Sequence, residues 1–529
     1  MKELQKIQRL FSNGMITRRE FINKVSAIGL SAALSPMLLN TTAKAAVPQR
    51  GGRFRVAIVA GSANEVLAPD KITSPFSGGI TWGQLRNCLV EIDAHNIPQP
   101  ELAERWECSP DATKWYFDLR KGVEFHNGKT MDADDVLFSF NLHRGKDSKS
   151  PSKGYLDPVT DIRADGKHRV VFELEAPNVD FPYVMSDYCF QIIPNNTKDI
   201  NNAPGTGGYI LSQYEPGVRA FTTRNPNYWK EDRAWFDEIE TVGITDPVAK
   251  VNALLTGEVD YTFNVDMKLF DRLKEKPGIQ GIETLGFMHF VFTMRTDIAP
   301  FNDNNARLAL KYALDRELVL QQVLRGHGAL GNDHPISPVF PNYNSELVQR
   351  KFDPDKARYY FKKAGLEGTD INIYVSETGF PGSVDTAMIY AENAKKAGIN
   401  LKINRAPGDG YWSETWGKKA FSACYWGGRP TEEGIFSQSW IGGENWDVTK
   451  WENARFRELL SQCRAELNKE KRREILWEMQ QIARDEAGKV VLAFPPFMDA
   501  ASDKVQFGKI APNWYMDGGH CFERWWFKA

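Results

Sequence analysis

The sequence is poor in the residues that build metal and nucleophile chemistry. Its 8 histidines are scattered through 529 residues, with His327 and His334 among the nearer pairs. Six cysteines (Cys88, Cys108, Cys189, Cys424, Cys463 and Cys521) stand far apart, with no CxxC. No His/Cys grouping has the short spacing of structural zinc, so neither a metal nor another cofactor is expected. The same wide spacing hides any disulfide connectivity, and buried free thiols and bridges both stay open. Neither sign of charge dominates. Lysine plus arginine is 66 and aspartate plus glutamate 68, a net charge of -2, which argues against a broad basic surface for nucleic acid. A Walker-type phosphate loop is absent, so any ATP hydrolysis belongs to another chain. Beyond the first 45 residues no apolar run approaches the roughly 20 residues that cross a bilayer as a helix.

What is present is ordinary globular chemistry, 42% hydrophobic and 25% charged. At roughly 100–200 residues per domain, the length calls for at least two domains or lobes. Their cores can be large enough to fold without a metal or disulfide staple. Aromatic residues reach 12%, with 15 tryptophans. Such rings usually fill cores, but a surplus also suits a pocket that grips a ligand by ring faces.

The N-terminus carries Thr17-Arg18-Arg19-Glu20-Phe21-Ile22 ahead of a modestly apolar run, Val25 to Leu39. The run contains Gly29, Ser31, Ser35 and Pro36 and is too short to span a membrane. A small-residue site, Ala43-Lys44-Ala45, follows it, which makes Ala46 the expected new N-terminus. The pattern resembles a twin-arginine export signal over residues 1–45. That segment holds seven basic residues (Lys2, Lys6, Arg9, Arg18, Arg19, Lys24, Lys44) against Glu3 and Glu20. Its removal would leave a more acidic, exported chain, expected in the periplasm.

The remainder alternates strand and helix patterns, which points to an α/β fold with mixed strands. Phe54 to Val59 and Trp115 to Leu119 read as strands, the second ending in Lys121-Gly122. Asp132, with Asp135 three residues on, is close to a capping box. Asn305 to Leu324 reads as one long amphipathic helix. Asp353-Pro354 is an N-cap followed by proline at the first helical position; Ala357, Tyr360, Phe361 and Ala364 form the stripe, and Gly365 is placed to stop it. Phe456, Leu459, Leu460 and Cys463 mark a later helix.

Several ordered blocks carry more information. The first is Leu102-Ala103-Glu104-Arg105-Trp106, then Leu119 to Lys129 (LRKGVEFHNGK), then Ala133-Asp134-Asp135-Val136. Next come Gly205-Thr206-Gly207-Gly208-Tyr209 with Arg224-Asn225-Pro226-Asn227-Tyr228-Trp229, and Ala253 to Asp260 (ALLTGEVD). Asn305-Ala306-Arg307 through Ala313-Leu314-Asp315-Arg316 and the terminal Glu523-Arg524-Trp525-Trp526 complete the set. The chain thereby resembles the extracytoplasmic solute-binding proteins of peptide and nickel ABC importers, family 5, across essentially its whole exported length. Each block also has a plain reading as turn, cap or packing, so the blocks mark the architecture and not the solute.

The resemblance implies a two-lobed periplasmic-binding-protein clamshell (type II, in the large cluster with an extra subdomain). Lobe one is expected at about 46–298 plus 495–529, including the extra subdomain at about 97–203, and lobe two at 299–494. The implied function is capture of a solute between closing lobes, without chemistry on it, for delivery to an ABC permease whose ATPase subunits supply the energy. The chain would meet the membrane only through that permease.

Peptide-binding relatives place an aspartate for the peptide ammonium shortly after a Trp-Gly. Here the segment is Tyr425-Trp426-Gly427-Gly428-Arg429, so arginine stands about where that acid would be. A guanidinium fork suits a carboxylate. Arg429 therefore either binds an anionic group of the solute or pairs with Glu432, Asp409 or another internal acid. Trp426 is either a stacking wall or core, and Gly428 shapes the same loop. Further cleft candidates are Tyr411 and Trp412 in an overhanging loop, and Asn264 after Phe263. His289 is proposed at the first crossing between lobes, and Tyr515 ahead of the terminal block. Peptide-like acids lead as solutes, with opine-like amino-acid conjugates, sugars and other small organic acids as alternatives in the same role. A periplasmic sensory or chaperone-like binder is a more distant reading. The adjacent Glu432 and Glu433 would be the carboxylates of an enzyme, but sequence neighbours do not oppose each other across a substrate.

Overall fold

The computed structural model describes residues 48–60, 62–441 and 447–528; the expected export signal lies outside them. Two large mixed sheets organise the chain. The first contains seven strands in the order Ile279–Leu285, Pro496–Ser502, Tyr261–Thr262, Arg53–Ile58, Glu238–Gly243, Arg219–Arg224 and Tyr209–Glu215. Arg53–Ile58 runs parallel to its neighbours Glu238–Gly243 and Tyr261–Thr262. The second has six strands, in the order Ala329–Leu330, Lys489–Phe494, His289–Met294, Phe421–Trp426, Asp370–Val375 and Asn400–Arg405. The two strands His289–Met294 and Lys489–Phe494 have all six of their residues buried. Runs rich in valine and phenylalanine, covered on both faces, belong in the middle of a sheet.

Each sheet builds its own apolar core. Phe54, Val56, Tyr209, Ile239 and Trp525 belong to the first. Phe292, Leu310, Ile373, Tyr390 and Phe421 belong to the second. A third core forms around a four-stranded antiparallel sheet in the order Ala103–Cys108, Lys114–Leu119, Arg169–Leu174 and Val159–Ala164, with Phe117, Phe140 and Phe172 inside.

The chain passes between the two large sheets twice. Strand Ile279–Leu285 lies in the first and His289–Met294 in the second, so the crossing spans residues 286–288. This corrects the sequence-based boundary at 298: the strand-like run before the helix pairs with Phe421–Trp426 and Lys489–Phe494, and so already belongs to the second lobe. The return falls at Pro495, between Lys489–Phe494 and Pro496–Ser502.

Local signals explain most elements. The Asp353 carboxylate accepts from the Lys356 amide at 2.9 Å, Pro354 opens the helix, and Ala357 and Phe361 are buried. The helix ends at Lys363, and Gly365 follows with φ +71°, the left-handed conformation that glycine adopts freely. The long helix expected over 305–324 is two helices, Asn304–Tyr312 and Arg316–Gln322. Asp315 separates them, because its side chain accepts from the Leu318 amide at 3.0 Å and starts a fresh N-terminus.

The ordered blocks are largely fold determinants. Asp135 is fully buried, accepts from the Asp132 amide (2.9 Å) and pairs with Lys129 (2.6 Å). Asp260 pairs with Arg55 at 2.9 Å. All six cysteines are free thiols. Among the described residues, no helix is long and apolar enough to cross a membrane.

Candidate functional site

The lobes touch along a seam. The Val179 amide donates to the Arg464 carbonyl (3.0 Å), and the Asp180 carboxylate meets the Arg472 guanidinium (2.5 Å). Asn96 donates to the Pro430 carbonyl (2.9 Å) and accepts from the Tyr183 hydroxyl (2.8 Å) at its own carbonyl. A second set of contacts also joins the lobes: Arg325 and His327 reach Asp271 (2.5 and 3.0 Å), and the other ring nitrogen of His327 reaches Glu283 (2.8 Å).

Five aromatic side chains are exposed among the described residues: Tyr155, Tyr359, Trp412, Tyr425 and Trp514. Four of them gather at the seam, which scattered surface rings would not do. On the first lobe Trp514 stacks on Tyr188, with centroids 5.7 Å apart. Next to it, Tyr515 packs against Phe497 (4.4 Å) and Phe263 (5.2 Å). On the second lobe Trp412 meets Tyr425 edge to face at 5.7 Å. Burial pushes the Tyr515 hydroxyl up to about 12, with Asp499 and the second lobe's Tyr425 adding to the rise. The two hydroxyls thus lie close enough to interact between lobes.

Arg429 stands at the edge of this aromatic wall, half-buried. Its guanidinium donates to the neighbouring Gly428 carbonyl at 2.7 Å and, among the described residues, forms no ion pair. Neither acid named from the sequence pairs with it: Asp409 is exposed, and Glu432 is engaged elsewhere. Glu432 accepts from the Asn342 amide (2.9 Å) and its side-chain nitrogen (3.1 Å), while Glu433 pairs with Arg464 (2.6 Å). Among the described residues, the guanidinium is therefore left without a carboxylate partner.

Gly428 sets that pole in place. Its φ is +83°, and a Cβ there would stand 2.2 Å from the Phe287 Cβ, on the crossing segment. Only glycine lets the loop after Phe421–Trp426 lie against the hinge.

The remaining sequence candidates divide. Asn264 is exposed on the first lobe, with φ +53°, and its amide donates to the buried Asp499 at 3.0 Å. Trp412 and Tyr515 belong to the aromatic walls described above. Trp426, Tyr411 and His289 lie inside. Trp426 packs in the core with Phe436 and Trp440. Tyr411 is 1% exposed, and its hydroxyl donates to the Ala423 carbonyl at 2.8 Å. His289 is fully buried opposite Trp426 in the sheet, and desolvation lowers its pKa to about 3. These three support the wall from behind. Tyr425, Tyr155 and Tyr188 were not among the sequence candidates. Strand alternation carries a signal for the first: if Trp426 points inward, Tyr425 must point outward.

The described residues also contain one compact acidic group, Glu91, Glu101 and Glu523 with His520. Its centre is filled by the Lys230 ammonium, 2.9, 2.9 and 3.2 Å from the three carboxylates. Burial works against that charge, but the carboxylates more than offset it and hold the Lys230 pKa well above its ordinary value. The group is an internal ion cluster joining Trp229's loop to the terminal block. A separate open hollow of about 850 Å³ lies between Ile279–Leu285 and Pro338–Pro341. It is lined by none of the eight sequence candidates.

Two sheet-centred lobes, two hinge crossings and an aromatic seam define a clamshell binding protein. The model for bacterial extracellular solute-binding proteins, family 5 (middle), matches residues 98–447, and the chain belongs to that family. It is 26% identical to di/tripeptide-binding protein 1 of Pseudomonas aeruginosa, over 91% of this chain and 96% of that one. Among solved structures it is similar to HbpA2 of Haemophilus parasuis, with TM-score 0.80 and 21% identity, covering 90% of this chain and all of that one. It is also similar to the Helicobacter pylori DppA in complex with the peptide STSA, with TM-score 0.70 and 21% identity over 91% and 99% of the two chains.

Proposed function

We propose that this chain is the periplasmic solute receptor of an ABC importer and captures a small, anionic, peptide-like solute without altering it. The observation that carries the reading is the juxtaposition of Arg429, which forms no ion pair among the described residues, with exposed rings from both lobes. A desolvated carboxylate at a guanidinium is worth roughly 1.5–3 kcal/mol, and the rings supply sequence-tolerant apolar area. Peptides lead because di/tripeptide-binding protein 1, by its name, binds them, and because DppA was solved with one. Amino-acid conjugates fit the same chemistry.

In this reading Arg429 holds the anion, and Tyr425, Trp412, Tyr515 and Trp514 enclose the body of the solute. Gly428 fixes the loop, and Asn264 offers an exposed side-chain amide on the first lobe. Solute bound to both lobes favours the closed form, which the permease reads. The first 45 residues direct export by the twin-arginine route and are removed. No hydrolytic role is assigned to Glu432 and Glu433, because each is already engaged by a neighbour.

A thermal-shift screen of peptides, amino-acid conjugates, organic acids and sugars tests the reading. Carboxylate-bearing compounds should raise the melting temperature with concentration. A response confined to neutral sugars would overturn it.

A further inference from the structure

His327 joins the lobes through both of its ring nitrogens. It lies on the second lobe, between the helix Arg316–Gln322 and the short strand Ala329–Leu330, which pairs with Lys489–Phe494. Asp271 and Glu283 lie on the first lobe, in the helix Met267–Leu273 and the strand Ile279–Leu285. The histidine is buried, with the Phe270 ring edge to face at 5.6 Å. Its Nε2 meets the Asp271 carboxylate at 3.0 Å, and its Nδ1 meets the Glu283 carboxylate at 2.8 Å. A carboxylate only accepts, so each nitrogen must donate. Neutral imidazole carries one N–H and the imidazolium two. The arrangement therefore fits the charged ring.

The other charged groups that meet this cluster are cations that keep their charge near neutral pH. Arg325, from the ring's own loop, reaches Asp271 at 2.5 Å, and Lys274, just past the helix, reaches it at 3.2 Å. Arg325 first, then His327 and Lys274, hold the Asp271 carboxyl well below the usual carboxylate range. The second Glu283 oxygen accepts from the Gly328 amide at 3.2 Å. These contacts flank the hinge. Glu283 stands just before the crossing at 286–288, and a Cβ on Gly328 would stand 2.3 Å from the Phe494 carbonyl oxygen, next to Pro495.

We infer that His327 is a proton-dependent brace beside the hinge, which holds the lobes in the arrangement described while its ring is charged and frees them when the proton leaves. Deprotonation sets a carboxylate against a bare nitrogen lone pair, and the two repel. Histidine is the side chain whose ordinary pKa, about 6.5, makes such a change near neutral pH. The braced form binds one more proton, so it is favoured at low pH and lost as pH rises. With one proton exchanged, the ratio of braced to open protein changes by at most about tenfold per pH unit. Solute uptake would then respond to the pH of the compartment, whatever the solute.

Small-angle scattering of solute-free protein at about pH 6 and about pH 8.5, on either side of ordinary histidine titration, tests the brace. Wild-type protein should have the larger radius of gyration at the higher pH. His327→Gln should be equally expanded at both. Glu283→Gln should stay compact at the higher pH, because its amide can donate to the bare ring nitrogen while its oxygen keeps the Gly328 amide. A wild-type radius unchanged by pH would overturn the brace, as would a His327→Gln protein that keeps the wild-type response. If His327→Gln did not fold, Glu283→Gln decides: expansion at the higher pH equal to that of wild type would overturn the brace.

Discussion

The Asp180 carboxylate and the Arg472 guanidinium meet at 2.5 Å across the seam, each mostly withdrawn from water. Asp180 belongs to the first lobe and Arg472 to the second, so only the closed arrangement makes the pair. Removing one partner of a desolvated interfacial pair costs ~2–5 kcal/mol. Asp180→Asn should therefore shift the lobes toward the open form and weaken solute binding at least about tenfold. Small-angle scattering should show a larger radius of gyration for the unloaded variant than for wild type.

Gly428→Ala is expected to combine two penalties. The backbone at φ +83° disfavours a side chain, and the added methyl would overlap Phe287. Together they should cost ~2–4 kcal/mol of stability, read from urea unfolding. Surviving folded protein should bind solute more weakly, because the loop that carries Arg429 must move.

Lys230→Met should be among the most destabilising single changes in the first lobe. It strands Glu91, Glu101 and Glu523 in the interior, and breaking a buried ion group costs ~3–5 kcal/mol. Since the ammonium already fills the group, a chelator should leave the melting temperature of wild-type protein unchanged. A fall in that temperature would show a bound metal.

Stability should decline in mild acid. His289 and His334 are buried, and desolvation holds each neutral, with pKa lowered to about 3. The unfolded state takes up protons below about 6.5 while the folded state does not, so stability is lost as pH falls from 6.5 toward 3. At pH 5 each histidine should cost ~2 kcal/mol relative to pH 7.5. Replacing both by glutamine should flatten the profile measured by chemical denaturation.

Much of the fold was legible because it is written in local chemistry. The cap at Asp353-Pro354, the stop at Gly365 and the stripe Phe456, Leu459, Leu460 and Cys463 need only neighbours along one chain segment. The break at Asp315 was missed because the apolar period continues through it while the side chain caps a new helix. The lobe boundary was placed late because a buried strand reads alike in either sheet; only pairing partners separate His289–Met294 from the first lobe. Of the residues proposed for the site, Arg429, Trp412 and Tyr515 were named from the sequence. Tyr188 and Tyr155 were not, because they come from the small third sheet's surroundings. Their place beside the seam depends on tertiary packing, and no local pattern records that.

The central claim is a solute held by Arg429 between closing lobes and released unchanged. Calorimetry of wild-type and Arg429→Gln proteins against the carboxylate that stabilises wild type most tests it directly. The account predicts one solute per chain, at least about tenfold weaker binding in the variant with an unchanged melting temperature, and the same compound recovered after denaturation. Equal affinity for the two proteins, or recovery of a converted product, would contradict it.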